Sequence, residues 1–528
     1  MILGEAAKAA APAANGQSRV SIDEIFRRVA GRRPDALALA DAPNREAFTD
    51  GAPRRLSFAQ ADRVVSAIAG RLQRMGLPTD AVVGIQLPNT VEHVLAILGV
   101  MRAGMIAVPV PLLWRRAGTA AALTRIGAKA LLTCGRVGSF NHAQCAMHVA
   151  ADVFSIRYVC GFGADLPDGI VSFDDLFTAP MLDPIAPLER ELEGHAAAHV
   201  AIVSFDVGAA GVVPVARSHL ELLAGGLGVL LESRLAQDAL VLSSMAPSSA
   251  AGICLTLLPW ILRGGTLLLH HPFDPDVLAS QWRADPRCGA LVLPAPIAFR
   301  LAAAGLFAGD GPACVLAAWR SPDCLAASEA WHEPATNLVD VAVFGEAGLV
   351  AAPRGPDGRP APLPYGPITS PRGNPGAVVV AELLQTTRGT LALRGPMVPH
   401  HPYPPGAEAA NLPCLQVGPG GVLDTGYACR LDADAMSVTV TGPPGGIASV
   451  GGCRLPLAEL QDAIARIDGR ATLDVSPDPL LGQRLIGHAE DRATMQAALK
   501  AAGVNPLAVA AFDDRAEPAE QEPLRAFA

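Results

Sequence analysis

The 528-residue chain predicts an α/β protein with largely parallel sheets, followed by a β-rich stretch and a small α+β tail. Three observations carry this expectation. Short apolar runs of strand type alternate with runs at helical spacing through the first two thirds of the chain. From about residue 365 Gly and Pro become denser, and strand-like runs follow one another without long helices between them. At 443–446 the sequence PPGG breaks any regular element and reads as a hinge or linker. A chain of this length is expected to hold two or more domains.

The elements follow in order. Residues 1–19, MILGEAAKAAAPAANGQSR, have no continuous apolar core and read as a disordered leader rather than a signal peptide. Ser21 opens SIDEIFRRVAGR as an N-capped amphipathic helix, with Glu24 at its third helical position. Ser57 caps a second helix that runs to Gly76. AVVGIQLP is a buried strand, VEHVLAILGVMRAG a helix closed by Gly104, and MIAVPVP another strand. AALTRIGAKALLTC gives a helix and then a strand. Ala239–Leu262 carries no charge, yet Pro247, Gly252 and Pro259 argue against a membrane span. It divides into a strand (ALVLSSM), a loop and a helix (GICLTLLPWIL). GTLLLHH, ALVLPAP and ACVLAAW are further strands, as are AVVVAEL, TLALRG and SVTVTG in the β-rich stretch. LAELQDAIARID and RATMQAALKAAG are helices of the tail.

Composition narrows the function classes. Half the residues are hydrophobic and 17% are charged, enough for a large core. The formal net charge of −9 argues against nucleic acid or an anionic membrane surface as a partner. The ten cysteines form no CxxC pair and no zinc spacing, which points to reduced thiols in a cytoplasmic protein. Lysine is scarce: Lys8, Lys129 and Lys500 are the whole set. A catalytic lysine therefore has few places to be. His400 and His401 in VPHHPYPP are a weak metal or catalytic pair, with no carboxylate within five residues.

One stretch asks for an explanation. SFDVGAAGVVPVARSH, residues 204–219, has the outline of a phosphate-cradling loop, with Gly208 and Gly211 three apart. No lysine, threonine or serine stands between Asp206 and Ala216.

The order of segments resembles the adenylate-forming superfamily of acyl-CoA synthetases, luciferase-like ligases and peptide-synthetase adenylation domains. LSFAQADRVVSAIAGRLQRMGLPTDAVVGIQLPN and VEHVLAILGVMRAGMIAVPV are similar to its N-terminal signatures. TLALRGPMV, LDTGYACRLDADAMSVTVTG and GGCRLPLAELQDAI follow in the right order. The resemblance covers about residues 20 to 525. It implies a large N-terminal AMP-binding-like domain over 20–442, made of two packed α/β halves plus a β-rich part over about 365–442. It also implies a small C-terminal domain over 443–528 that rotates between half-reactions. Members react a carboxylate with ATP and Mg²⁺ to an acyl-adenylate, and a thiol such as CoA then takes the acyl group.

Site by site, the resemblance implies losses. The family's loop ends in Pro-Lys; here Gly208 and Gly211 remain, and the lysine position falls on Pro214 or Val215. Asp206 brings a negative charge where a triphosphate would lie. The family's Tyr-Gly-x-Thr-Glu is met by Phe344 and Gly345, and by Glu346 if two residues are deleted. Glu346 is then the candidate magnesium ligand, against the plainer reading of a solvated loop acid. In the family's Thr-Gly-Asp, Thr425 and Gly426 are in place, but the ribose-binding aspartate is Tyr427. The next arginine falls on Pro443, and the tail that should carry a lysine offers only Arg525.

Two readings stay open at this point. In the first the protein is a pseudo-ligase, an acyl- or CoA-binding or partner-assembling protein whose acyl pocket is lined by Trp114, Trp319 and Gly252. In the second it is a divergent, active carboxylate–CoA ligase. Glu346, Arg217, His219, Arg320 or Arg525 would then be recruited to the phosphates. The first needs no cofactor; the second needs ATP, Mg²⁺ and CoA. The expected partners are a small carboxylic acid or acyl-CoA, and an active homologue or acyl carrier protein.

Overall fold

The computed structural model describes residues 20–178 and 196–513, apart from positions 210, 286, 310 and 375. The leader and Arg525 lie outside the described residues. The fold is mixed α/β, with two large sheets packed through a shared core.

The first sheet has seven strands. Its centre is the parallel set Ile106–Pro109, Val82–Ile85, Ala130–Cys134 and Tyr158–Phe162. These strands are apolar along their length because both faces are covered. One edge is closed by the antiparallel hairpin Val200–Gly208 and Gly211–Ser218.

The second sheet has eight strands. Leu240–Ser243, Cys288–Pro294, Cys314–Trp319 and Asn337–Val343 run parallel, as does the early strand Leu37–Ala40 beside Leu267–Leu269. The chain thus enters the second sheet before it builds the first, and this ties the two halves together. The helix Val91–Arg102 is buried at every residue. That is why its sequence is apolar all round rather than amphipathic.

Local signals act as expected at the caps. Ser21 and Ser57 form capping boxes with Glu24 and Gln60. A third box, Ser218 with Glu221, opens the helix His219–Ser233 directly after the hairpin. The expected helix GICLTLLPWIL contains a π-helical segment, Ile253–Leu257, before the helix Leu258–Arg263. Pro259 lacks an N–H, and the wider turn lets the ladder shift register past it. Among the described residues no helix is long and apolar enough to cross a membrane.

A third, antiparallel sheet uses strands between Leu363 and Gly442. The PPGG segment joins it to a four-stranded sheet, in which Ile447–Val450 lies between Cys453–Pro456 and Gly482–His488. The helices Leu457–Ala465 and Arg492–Ala501 cover that sheet through a separate small core. All ten cysteines are free, eight of them buried. Burial pushes the thiols of Cys134, Cys160, Cys254, Cys288 and Cys314 up to about 12.

Candidate functional site

The stretch 204–219 is a β-hairpin, not an open loop. Its strands pair in register to the end, Asp206 with Val213 and Gly208 with Gly211. The Val207 N–H donates to Asp206 Oδ1 at 2.8 Å. The glycine frame therefore serves a tight turn. Gly211 also allows close approach: a Cβ there would stand 2.2 Å from a carboxylate oxygen of Glu459 in the C-terminal unit.

The hairpin carries Ser204, Asp206 and Arg217 to the turn that follows strand Asn337–Val343. Glu346 in that turn is 6% exposed. Its Oε2 accepts from Ser204 Oγ at 2.6 Å, Arg217 Nη1 at 3.1 Å and the Ala250 N–H at 3.2 Å. Arg217 is itself buried and also donates to the Glu346 carbonyl. Burial pushes the Glu346 carboxyl above its ordinary range, while Arg217 and Ser204 pull it back. The plainer expectation, a solvated loop acid, is overturned, because the carboxylate lies inside the protein with its charge paired. His219 hydrogen-bonds the Ile22 N–H through Nδ1 at 3.3 Å, which commits it to the N-terminal helix.

Asp206 faces a second partner. Its Oδ2 accepts from the Glu346 N–H at 3.0 Å, and its Oδ1 pairs with Arg454 Nη1 at 2.5 Å. Arg454 sits on the C-terminal strand Cys453–Pro456. Its other nitrogen donates to the Tyr427 hydroxyl at 2.8 Å, and its guanidinium lies 5.3 Å from the Tyr427 ring centre. Tyr427 is 1% exposed, and Phe344 stands edge-on to it at 5.8 Å. The Tyr427 hydroxyl also donates to the Arg320 carbonyl at 3.4 Å. Gly345 has φ +58°, and a Cβ there would lie 2.3 Å from Arg454 Nη1. The turn therefore needs glycine twice, for its backbone and for the arginine.

The remaining candidates are placed as follows. Thr425 Oγ1 donates to the Leu391 carbonyl at 2.7 Å. Gly426 has φ +75° and its N–H is held by Asp424. Asp424 pairs with Arg388 at 2.8 Å, away from Tyr427's cluster. Arg320 is half-buried, its guanidinium pulled below its usual range by burial, and donates to Ser249 Oγ at 3.5 Å. His400 meets Glu221 at 3.2 Å, a carboxylate that sequence distance hid.

The expected acyl pocket is corrected. Trp114 packs on Phe205 in one apolar cluster, whereas Trp319 bonds Asp340 and belongs to another. Gly252 is packed so closely that a Cβ there would lie 2.3 Å from the Ala246 carbonyl oxygen. The cavity beside Glu346 is lined instead by Arg217, Ala250, Cys254, Gly348 and Met397, and holds about 10 Å³. That is space for about one water.

Arg454 is the residue that sequence reasoning missed. It lies within GGCRLPLAELQDAI, but nothing local links it to Asp206. The surplus charge of Asp206 was the one available hint that a cation must come from elsewhere.

The cluster closes on itself. Two carboxylates, Glu346 and Asp206, face two guanidiniums, Arg217 and Arg454. Each Arg–carboxylate pair is bonded directly. Glu346 Oε2 already accepts three hydrogen bonds, and among the described residues no group of three His, Cys, Asp or Glu could hold a metal ion by itself. Tyr427 takes up the space beside Arg320 and Arg454.

Comparison with known proteins places this geometry in context. The AMP-binding enzyme family matches residues 26–292. The chain is 26% identical over 491 residues to 2-hydroxy-7-methoxy-5-methyl-1-naphthoate–CoA ligase of Streptomyces carzinostaticus, covering 88% of the chain and 83% of that protein. It is 31% identical over 176 residues to the salicyl-AMP ligase / salicyl-S-ArCP synthetase of Mycobacterium tuberculosis, covering 32% of the chain and 30% of that protein. Other relatives are far longer: the match to tyrocidine synthase 1 of Brevibacillus parabrevis, 32% identical over 105 residues, spans 20% of this chain and 8% of that protein. Among solved structures, the amide bond synthetase McbA of Marinactinospora thermotolerans matches with a TM-score of 0.66 at 18% identity, covering 92% of this chain and 94% of that one. Apo MbtA of Mycobacterium smegmatis matches with a TM-score of 0.62 at 21% identity, covering 96% and 92%.

Proposed function

The chain belongs to the AMP-binding enzyme family, and from that premise we propose that it is an acyl-CoA synthetase-like member impaired in ATP-dependent carboxylate activation. One observation carries the reading. Asp206, Arg454 and Tyr427 bond one another where the resemblance puts the nucleotide, so the protein's own side chains satisfy the groups a ligand would need.

Adenylation depends on fixed positive groups aimed at charge developing on the α-phosphate. Arg217 is committed to Glu346, and Arg454 to Asp206. Losing one such donor costs about 10²–10³ in rate. Several are altered together here, and their effects are not additive.

Two roles remain for such a protein: acyl or CoA binding, and assembly with a partner. The cavity of about 10 Å³ beside Glu346 favours assembly. The candidate partners are an active homologue or an acyl carrier protein, in keeping with a relative whose name describes a salicyl-S-ArCP synthetase.

The test is thermal melting with and without millimolar Mg-ATP, CoA and acyl-CoA, together with carboxylate-dependent ATP–pyrophosphate exchange. A ligand at about 100 times its Kd stabilises by about 2.7 kcal/mol. The expected result is no ATP shift and no exchange. Exchange above background with any carboxylate overturns the reading and makes the protein a divergent ligase.

A further inference from the structure

A larger cavity, about 380 Å³, lies away from the Glu346 cluster. Its position follows from the topology of the first sheet. After Val82–Ile85 the chain places its next strand, Ile106–Pro109, on one side and Ala130–Cys134 on the other. The strand order therefore reverses at Val82–Ile85. In open parallel sheets a crevice forms outside the carboxyl ends of the strands at such a point, and ligands bind there. The cavity is lined by Leu87 and Pro88, Cys134 and Gly135, and Phe162 and Gly163, the residues at or just beyond those carboxyl ends. The connection that joins strands Leu37–Ala40 and Arg55–Ser57 of the other sheet contributes the opposite wall.

The chemistry of the wall is specific. Three guanidiniums line it and each is bonded to a carboxylate. Arg45 holds Glu92 at 2.8 Å, Arg54 holds Glu92 at 2.6 Å and Asp174 at 2.9 Å, and Arg136 holds Asp50 at 2.6 Å. Three arginines thus meet three acids of the lining, Asp50, Glu92 and Asp174, and Arg45 also bonds Asp41 behind the wall at 2.5 Å. No positive charge is left over to draw an anion.

Hydrogen-bonding capacity does remain. Thr90 lines the cavity, is 3% exposed, and precedes the helix Val91–Arg102 without capping it through its side chain. Asp41 takes that role, accepting the Val91 N–H at 2.8 Å. Glu92 is 1% exposed, and its Oε2 has no hydrogen-bond partner among the described residues. Buried polar groups are nearly always satisfied, so the Glu92 oxygen asks for a partner, and the Thr90 hydroxyl beside it is not spent on the helix cap. Phe162 and Leu87 supply an apolar floor.

We propose that this switch-point cavity binds a small uncharged polyhydroxyl ligand of about sugar size. Each hydroxyl both donates and accepts, which matches a wall where guanidinium donors and carboxylate acceptors are already bonded to one another. A C–H face would lie against Phe162. The volume falls within the range of about 300–1,000 Å³ usual for small-molecule sites. The proposal stands apart from the fate of the Glu346 cluster.

The experiment is ligand-observed saturation-transfer NMR on the full chain with D-ribose and D-glucose, and with inorganic sulfate as competitor. Saturable binding at millimolar concentration is expected for at least one sugar, untouched by sulfate. Saturability separates it from the general stabilising effect of sugars, which comes from exclusion from the surface. Ala164 also lines the cavity. Ala164→Leu, which adds bulk to that lining, and Thr90→Val, which removes only the hydroxyl, are each expected to weaken binding tenfold or more. Two variants are used because one of them could fail to fold, and the melting temperature of each is checked first. Absence of saturable binding, equal binding by the folded variants, or displacement by sulfate overturns the proposal.

Discussion

At the residue scale the side chains of the Glu346 cluster bond one another. Arg217 and Glu346 are the more buried of its two ion pairs, exposed by only 3% and 7% at their side chains. Removing one partner of a buried pair strands the other charge, at a cost of about 3–5 kcal/mol. Arg217→Met and Glu346→Gln should each destabilise by amounts of that order. The double variant should recover about 1–3 kcal/mol relative to their sum. Chemical denaturation of all four proteins measures this, and strict additivity would contradict the pairing. Tyr427→Phe tests the second cluster. It removes the acceptor of a charge-assisted bond from Arg454 and should cost about 1.5–3 kcal/mol. A neutral result in the same denaturation assay would mean that the phenol serves only as filling.

At the scale of elements, the sequence was legible wherever local chemistry decides. Ser21 and Ser57 announced their helices, because a cap and its partner lie three residues apart. The buried strands announced themselves by unbroken apolar runs bounded by Gly and Pro. The π-helical turn at Ile253–Leu257 was not legible, since Pro259 permits several adjustments and packing selects one. The Asp206–Arg454 pair spans 248 positions. No periodicity or spacing rule reaches that far. The failed pocket at Trp114 and Trp319 has the same origin, because large side chains signal burial but not which cluster they join. The turn at Gly345 gives the element-scale prediction. Gly345→Ala adds a Cβ that meets both Arg454 and Asp206 and strains a backbone at φ +58°. Such strain costs about 1–3 kcal/mol. It should loosen the C-terminal unit, visible as faster proteolytic cleavage at 443–446. An unchanged cleavage rate would show that the turn does not govern docking.

For the molecule as a whole, buried histidines set a pH limit. Burial lowers His93 and His271 to about 4 and His142 to about 3. Each stays neutral in the folded state and gains a proton on unfolding below pH of about 6.5, so each lowers stability as pH falls toward 4. Asp41 acts in the opposite direction, because burial raises it to about 6. It holds a proton in the folded state that the unfolded chain releases. From these four groups, the balance near pH 5 is an uptake of roughly two protons on unfolding, or about 3 kcal/mol lost per pH unit. Denaturant midpoints between pH 7 and 5 read this slope, and a flat profile would mean that the histidines are not held neutral. The clasp between Asp206 and Arg454 has a consequence for descent as well as for stability. Restoring a hydroxyl at position 206 alone would strand Arg454, and replacing Arg454 alone would strand Asp206. A single change at either position passes through a weaker protein, so the pair works as an evolutionary ratchet. On the function proposed above, a return to a nucleotide site would need at least two coordinated substitutions, which makes such a drift easier to enter than to leave.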